Sequence, residues 1–515
     1  MTVAPSVPGP LVLALDASTT ATKALVVDVA GNVLAQGRAV YGLTSPGTSF
    51  YEQEARDWVG ATHIAARQAI GKLEGDDRRR LAAVSITPQR QTFVPCAADG
   101  RPLRSAILWL DGRASEQVLR LGSERVHELS GMVPDVTPSF YKLAWLAEHE
   151  PEVLERADKI ATVHGYLTFA LTGQWLDSRA TADSLGLFDM AARTWSDELL
   201  SLCSVRPGQM LGLREVGDPM ALLLPEVARQ WGLSETIPVV AGCGDGQAAG
   251  LGAGVTEPDE GYLNLGTAVV AGVHSAEYRW GQSYRTDAAG IPGHYVLEVV
   301  QNSGAFLAGW FRTELGDPAL QGAPDPALEA EAAAVSPGSG GLLTLPYWNA
   351  VQSPHWDPLA RGAMVGFTGT HSRAALYRSV LEGISLETGR NLKALERDTG
   401  MPLRMLRIMG GGQRSPLWRQ ILAACVGVPL EACATEEVSA LGAAVIAMSA
   451  VTGEGMPTLA RAMTRVGERT EPDPELVERY AEISDVQSEL YERLAPMFPR
   501  LDALSQADGG VSGSE

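Results

Sequence analysis

An α/β protein built from two related halves is the architecture this sequence predicts, and two observations carry it. Short β-type runs alternate with longer stretches of helical periodicity along the chain, the pattern of sheets covered by helices. A strand running into a turn of small hydroxyl residues occurs twice, as Leu13-Ala-Leu-Asp-Ala-Ser-Thr19 and as Tyr262-Leu-Asn-Leu-Gly-Thr267. The length of 515 residues allows more than one domain and a core that needs neither disulfides nor metals.

The elements follow in order. Leu11–Leu15 reads as a buried strand, and Ala24–Val29 and Val33–Tyr41 follow it, with Gly31-Asn32 supplying the tight turn. Ala55–Leu73 has helical spacing. Leu81–Thr87 and Ala106–Leu110 read as strands, and Lys142 to about Leu171 as helical with an interruption at Pro151. Pro238–Ala241 is a short strand ending in Gly242-Cys-Gly-Asp-Gly246, and Gly261–His274 reads strand, turn, strand. The boundary between halves falls around residues 250–258, and the polar, Gly/Ser-rich end of the chain is expected to be disordered.

Lys and Arg total 41 against 61 Asp and Glu, a formal charge of −20. Nucleic acid and anionic membranes both demand basic surface, so neither is an expected partner. Five scattered cysteines form no CxxC pair, which excludes a disulfide framework and a structural zinc. The first ten residues lack the positive region of an export signal. The uncharged, largely apolar stretch Val438 to Gly453 is shorter than the ~18–20 apolar residues that span a bilayer. A cytoplasmic protein is expected.

Three turns carry candidate chemistry. Asp16-Ala-Ser-Thr-Thr-Ala-Thr-Lys23 gathers four hydroxyls, a carboxylate and a lysine, which suit phosphate and hydrated Mg²⁺ but also suit a stable polar hairpin. Asp245 stands among glycines at a strand-to-helix junction, where a carboxylate serves as a general base or as a helix N-cap. Met409-Gly-Gly-Gly-Gln413 admits a purine or phosphate against the backbone, or is simply a tight turn. No GK[ST] occurs, so a P-loop is not indicated.

As an ordered set these segments resemble the FGGY carbohydrate kinases of the actin/hexokinase/Hsp70-like fold group. The likeness is carried by LDASTTATKALVVD (15–28), TPQRQTFVP (87–95), AILWLDGRA (106–114), SFYKLAWLAEHEPE (139–152), GCGDGQAAGLGAG (242–254) and YLNLGTAVV (262–270). WDPLARGAMVGF (356–367), LYRSVLEGIS (376–385) and MGGGQRSPLWRQILAACVGVPL (409–430) continue it. The resemblance implies two actin-like (ribonuclease H-like) α/β domains with a cleft between them, at 11–252 and 253–498, and a disordered tail at 499–515. It implies ATP and Mg²⁺ as cofactors and phosphoryl transfer to a primary hydroxyl of a sugar.

Residue by residue, Asp245 matches the catalytic base and Asp16 the aspartate that positions Mg²⁺, with Asp245 as the second carboxylate there. Ser18, Thr19, Thr20 and Lys23 fall in the first phosphate loop, Gly266 and Thr267 in the second, and Gly410, Gly411, Gly412 and Gln413 at the adenosine site. Arg90 and Gln91 occupy the positions that contact substrate hydroxyls, with Trp109 and Asp111 beside them as further pocket residues. Lys142 and Trp145 read as structural.

Three departures stand out. Ser18 replaces a frequent glycine, and Gly246 follows the base where Asn or Gln is usual. TPQRQT (87–92) matches neither the Gly-Gln-Met-His of xylulose kinases nor the Asn-Gln-Arg-Glu of glycerol kinases. The expected acceptor is a ketopentose, D-xylulose first. The alternatives are ribulose, glycerol, erythritol, a sugar acid or a linear signalling diketone; outside the class stand an ATP-switched binding protein and a hydrolase. A homodimer is left open by the resemblance.

Overall fold

β1 (Leu11–Ala17) and β4 (Leu81–Pro88) are buried along nearly their whole length, as strands covered on both faces must be. The computed structural model, which describes residues 9–509, sets them side by side and parallel in a six-stranded sheet. β2 (Ala21–Asp28) and β3 (Val33–Val40) continue from β1 as an antiparallel meander. β6 (Pro238–Val240) pairs parallel with β4, and β5 (Pro219–Leu222) closes that edge antiparallel. One face is covered by α1 (Ala55–Gly71), whose Trp58, Ala65 and Ala69 share a core with Leu11, Leu13 and Leu15.

The second sheet has seven strands and repeats this plan. β7 (Glu260–Leu265), β8 (Val269–Ser275) and β10 (Tyr295–Gln301) form the antiparallel meander, with β9 (Arg285–Ala288) added at its edge. β11 (Met405–Met409) lies parallel to β7 and β12 (Leu430–Cys433) parallel to β11, while β13 (Val466–Thr470) closes the far edge antiparallel. The two hydroxyl-bearing turns occupy equivalent places, β1–β2 and β7–β8. The repeat read from two short segments is therefore a repeat of whole sheets.

Three expectations need correction. The stretch from Lys142 to Leu171 is not one interrupted helix: Ser139–His149 and Pro151–Arg156 are followed by a strand, Lys159–Thr162, before Val163–Thr172. That strand exists because it pairs antiparallel with Phe93–Cys96. The strand expected at Ala106–Leu110 is reduced to Ala106–Ile107. The tail expected to be disordered from 499 begins as a helix, Phe498–Gly509. Phe498 anchors it among Leu345, Tyr347 and Val351, and Arg361 pairs with Asp502. The rest of that tail, and the first eight residues in which no export signal was read, lie outside the described residues.

The opposite face of the first sheet is covered by α2 (Asp245–Gly252) and by α3 (Val438–Thr452), although α3 belongs to the second half of the chain. The two helices cross through glycine. A β-carbon on Gly252 would lie 2.0 Å from the Val438 carbonyl oxygen, and one on Gly442 would lie 1.9 Å from that of Ala248. This close approach holds the N-terminus of α2, and hence Asp245, against both halves. Gly442→Val is expected to cost ~3 kcal/mol or more through overpacking, read as a lowered Tm in thermal unfolding. An unchanged Tm would mean that the helices part freely.

Candidate active site

A cleft of about 880 Å³ opens between the two halves, with Thr19, Arg90, Trp109, Asp245, Thr267 and Gln352 among the residues of its walls. The β1–β2 turn enters from the first half and the β7–β8 turn from the second, so the two hydroxyl turns meet at one space. Thr267 is exposed there, and Thr20 is exposed on the first turn beside Thr19. The Oγ1 of Thr19 accepts a hydrogen bond from the Trp109 indole at 3.0 Å.

Asp245 is the first residue of α2, and Gly244 is its N-cap, which settles the capping alternative by position. Its Oδ1 accepts from the Gly246 backbone N–H at 2.9 Å and from Arg90 Nε at 3.1 Å. Oδ2 has no partner among the described residues, and the side chain is 41 % exposed. One oxygen is thus anchored and the other faces the cleft.

Asp16, the penultimate residue of β1, is nearly buried, and its Oδ1 has no hydrogen-bond partner among the described residues. Burial pushes its carboxyl up to about 7, the nearby Asp245 adds to this, Lys23 offsets part of it, and Glu437 raises it further. A buried carboxylate oxygen without a donor, repelled by two other carboxylates, suits a hard divalent cation. No cluster of three or more metal-ligating side chains occurs among the described residues.

The remaining expected residues divide. Gln91 is buried, with a left-handed φ of 55° that places it on the cleft wall, and its backbone N–H donates to Ser184 Oγ at 3.4 Å. Such a conformation in a non-glycine residue marks strain held by its surroundings. The Ser18 hydroxyl turns inward to the Ala21 carbonyl at 2.9 Å, closing the turn. Lys23 reaches Glu437, the residue before α3, at 2.6 Å and so ties the β1–β2 turn to the second half.

Trp109 is 39 % exposed on the cleft wall. Asp111 is not a pocket residue: it is fully buried, bound by Arg113 through Nε and Nη2, each at 2.8 Å, and by the Tyr51 N–H at 2.6 Å. Its carboxylate is consumed in bracing the loops that carry Tyr51 and Trp109. Lys142 does similar work: its ammonium donates to the carbonyls of Leu108, Trp109 and Thr137, and burial lowers its pKa to about 7.

Gly410 through Gln413 form the turn after β11. A β-carbon on Gly410 would lie 2.6 Å from Asn264 Oδ1, and one on Gly412 would lie 2.9 Å from the Leu265 β-carbon. The turn therefore packs directly against the end of β7, beside Gly266. Gly410 has a φ of 85°, which admits glycine readily and little else. These residues stand outside the cleft walls proper, next to the second hydroxyl turn.

What sequence reading missed lies beneath Arg90. Its Nη1 donates to Asp287 Oδ2 at 2.9 Å, and its Nη2 to both oxygens of Glu298 at 3.2 and 2.9 Å. Arg285, on the cleft wall, donates to Glu298 through Nε at 2.6 Å and through Nη2. The available signal was charged residues at alternate positions 285 and 287 inside a strand. Asp135 and Gln352, one from each half, also line the cleft and are hydrogen-bonded to each other at 2.7 Å.

Two domains of one enzyme class account for this arrangement. Residues 11–252 match the N-terminal domain of the FGGY family of carbohydrate kinases, and residues 261–451 match its C-terminal domain. The chain is 34 % identical over 466 residues to a glycerol kinase of Bordetella parapertussis, covering 85 % of this chain and 88 % of that one. It is 30 % identical over 501 residues to a xylulose kinase of Escherichia coli, covering 94 % and 99 %. In structure it superposes on a ligand-bound xylulose kinase from Lactobacillus acidophilus with a TM-score of 0.89 at 23 % identity, over 96 % of this chain and all of the other. The protein belongs to the FGGY family of carbohydrate kinases and has its two-domain actin-like fold. It is an ATP-dependent sugar kinase. No helix among the described residues is long and apolar enough to cross a membrane.

Proposed function

We propose that this kinase phosphorylates the terminal primary hydroxyl of a neutral ketopentose, with D-xylulose the first choice. The observation that carries the reading is Asp245, whose one oxygen is anchored by Gly246 and Arg90 while the other is open to the cleft. An alcohol is a weak nucleophile, and a carboxylate within hydrogen-bond reach takes its proton as it attacks the γ-phosphoryl. Thr19, Thr20 and Thr267 supply hydroxyls to the phosphates, and the glycine turn at 410–412 offers backbone to the adenosine. Asp16, with Asp245 nearby, would hold Mg²⁺, which when bound supplies charge to the transferring phosphoryl group. The meeting of both halves at the cleft excludes water from that step.

Charge supports a neutral acceptor over a sugar acid. The two arginines on the cleft wall, Arg90 and Arg285, are already matched by Asp245, Asp287 and Glu298. Among the described residues no uncompensated cation remains there for a substrate carboxylate, whereas Gln91, Asn302 and Gln352 offer amides that both donate to and accept from hydroxyls. Glycerol is the second reading, favoured by Arg90 at the substrate position and by the glycerol kinase relative. All five cysteines are free and buried, in keeping with a reducing, cytoplasmic setting.

An ADP-release assay across ketopentoses, polyols, glycerol and aldonates, with a blank lacking acceptor, tests the proposal. Turnover on D-xylulose well above the blank, with aldonates flat, is the expected result. Strong turnover on an aldonate with none on ketopentoses would overturn it, and a high blank unaffected by any acceptor would indicate a hydrolase.

A further inference from the structure

Among the described residues, Arg90 is the one guanidinium shared by three carboxylates from both halves of the molecule: Asp245 from α2, Asp287 from β9 and Glu298 from β10. Asp287 and Glu298 are buried almost completely, and Arg90 is only 11 % exposed in its side chain. An arginine beside one carboxylate prefers a two-pronged pair that engages both oxygens. That does not happen at Asp245, which receives Nε alone through Oδ1. Nη1 and Nη2 are turned the other way, onto Asp287 and Glu298, and Glu298 is itself fixed by Arg285 and approached by the Tyr262 hydroxyl at 3.4 Å.

The backbone around Asp245 is shaped to the same end. A β-carbon on Gly246 would lie 2.8 Å from Arg90 Nη2 and 3.0 Å from Glu298 Oε2, so a side chain there would press on the pair. On Gly244 it would lie 2.5 Å from Arg90 Cδ. The glycine after the base, unusual by comparison with the Asn or Gln expected there, is thus the residue that makes room for the Arg90–Glu298 contact.

We propose that Glu298 and Asp287 are positioning residues of the kinase reaction: by holding both terminal nitrogens of Arg90 they limit it to a single contact with Asp245. The second oxygen of Asp245 is thereby kept unpaired for the acceptor hydroxyl, and the guanidinium is fixed in the cleft wall where the sugar binds. Because both carboxylates stand on second-half strands, Arg90 reaches this posture only when the two halves are docked. Gly246 is part of the device, since its missing side chain admits the contact.

The proposal rests on reading Arg90 as a sugar contact, so the two are tested side by side. Steady-state kcat and KM would be measured for D-xylulose, or for the acceptor of the panel that turns over fastest, and for MgATP. Glu298→Gln is expected to raise the sugar KM by ~10–100-fold and lower kcat, with the MgATP KM within about twofold. Glu298→Asp is expected to recover most of the loss. Gly246→Ala presses on the guanidinium while keeping every charged group of the cluster, and is expected to move the same parameters the same way. If Glu298→Gln fails to fold, Gly246→Ala decides.

An unchanged sugar KM in folded Glu298→Gln or in Gly246→Ala would overturn the positioning role, as would equal changes in both KM values. Arg90→Lys separates the readings. If it leaves the sugar KM unchanged, Arg90 is no sugar contact and the proposal falls with it. If it raises that KM while Glu298→Gln does not, only the positioning role falls.

Discussion

Asp245→Asn is expected to lower kcat by ~10²–10⁴-fold while leaving nucleotide affinity within about twofold. The substitution keeps the shape of the side chain and keeps an acceptor at Oδ1 for Gly246 and Arg90. What changes is the open position. An amide that donates replaces the oxygen that would accept the acceptor's proton, and the alcohol must then attack without a base. The side chain is 41 % exposed, so loss of its charge leaves the fold intact. A coupled ADP-release assay alongside calorimetric titration of the nucleotide checks this. Near-normal turnover in the variant would mean that proton removal happens elsewhere.

Much of this site is local in origin, and that part was legible in the sequence. Asp16, Thr19, Thr267 and Asp245 each sit where an apolar strand runs into a turn, and a strand end followed by small polar residues can be read without knowing what lies across the cleft. The two halves were legible for the same reason, because each opens with such a unit. Residues whose role depends on pairing between distant elements were not. Glu298 and Asp287 meet Arg90 only because β9 and β10 lie in register at the edge of the second sheet. Asp111 looked like a pocket residue from its neighbours, but its partner Arg113 stands two positions on and draws it into the interior.

Packing set the remaining differences. The stretch Val438–Thr452 is apolar on nearly all sides, which announces burial without saying against what; it covers the sheet of the other half. Lys159–Thr162 has four residues, too few to show a period, and becomes a strand through its partner Phe93–Cys96. The end of the chain was judged by its polar composition, and Phe498 was enough to dock a helix there.

Asp16→Asn should separate stability from activity. Burial and the neighbouring Asp245 raise the Asp16 carboxyl from 3.8 to about 7, with Glu437 adding to the rise and Lys23 opposing it. The native protein therefore keeps a proton on Asp16 over a range in which the unfolded chain has lost it. Between about pH 4 and pH 7 the native state binds the extra proton, so this group's contribution to stability falls as pH rises through that window. Above pH 7 the whole penalty is present, on the order of 4 kcal/mol. Asparagine removes it: the nucleotide-free variant is expected to unfold at a higher temperature than the wild type at pH 8, with the difference shrinking toward pH 4. The same change removes the oxygen proposed to hold Mg²⁺, so kcat should fall by ~10²-fold or more, and the rise in Tm on adding Mg²⁺ with ADP should be lost relative to ADP alone. Thermal unfolding at pH 5 and pH 8, with ADP alone and with Mg²⁺ and ADP, reads both effects. A variant less stable than wild type at pH 8 would refute the electrostatic account of Asp16, and an undiminished response to Mg²⁺ would move the metal to other ligands.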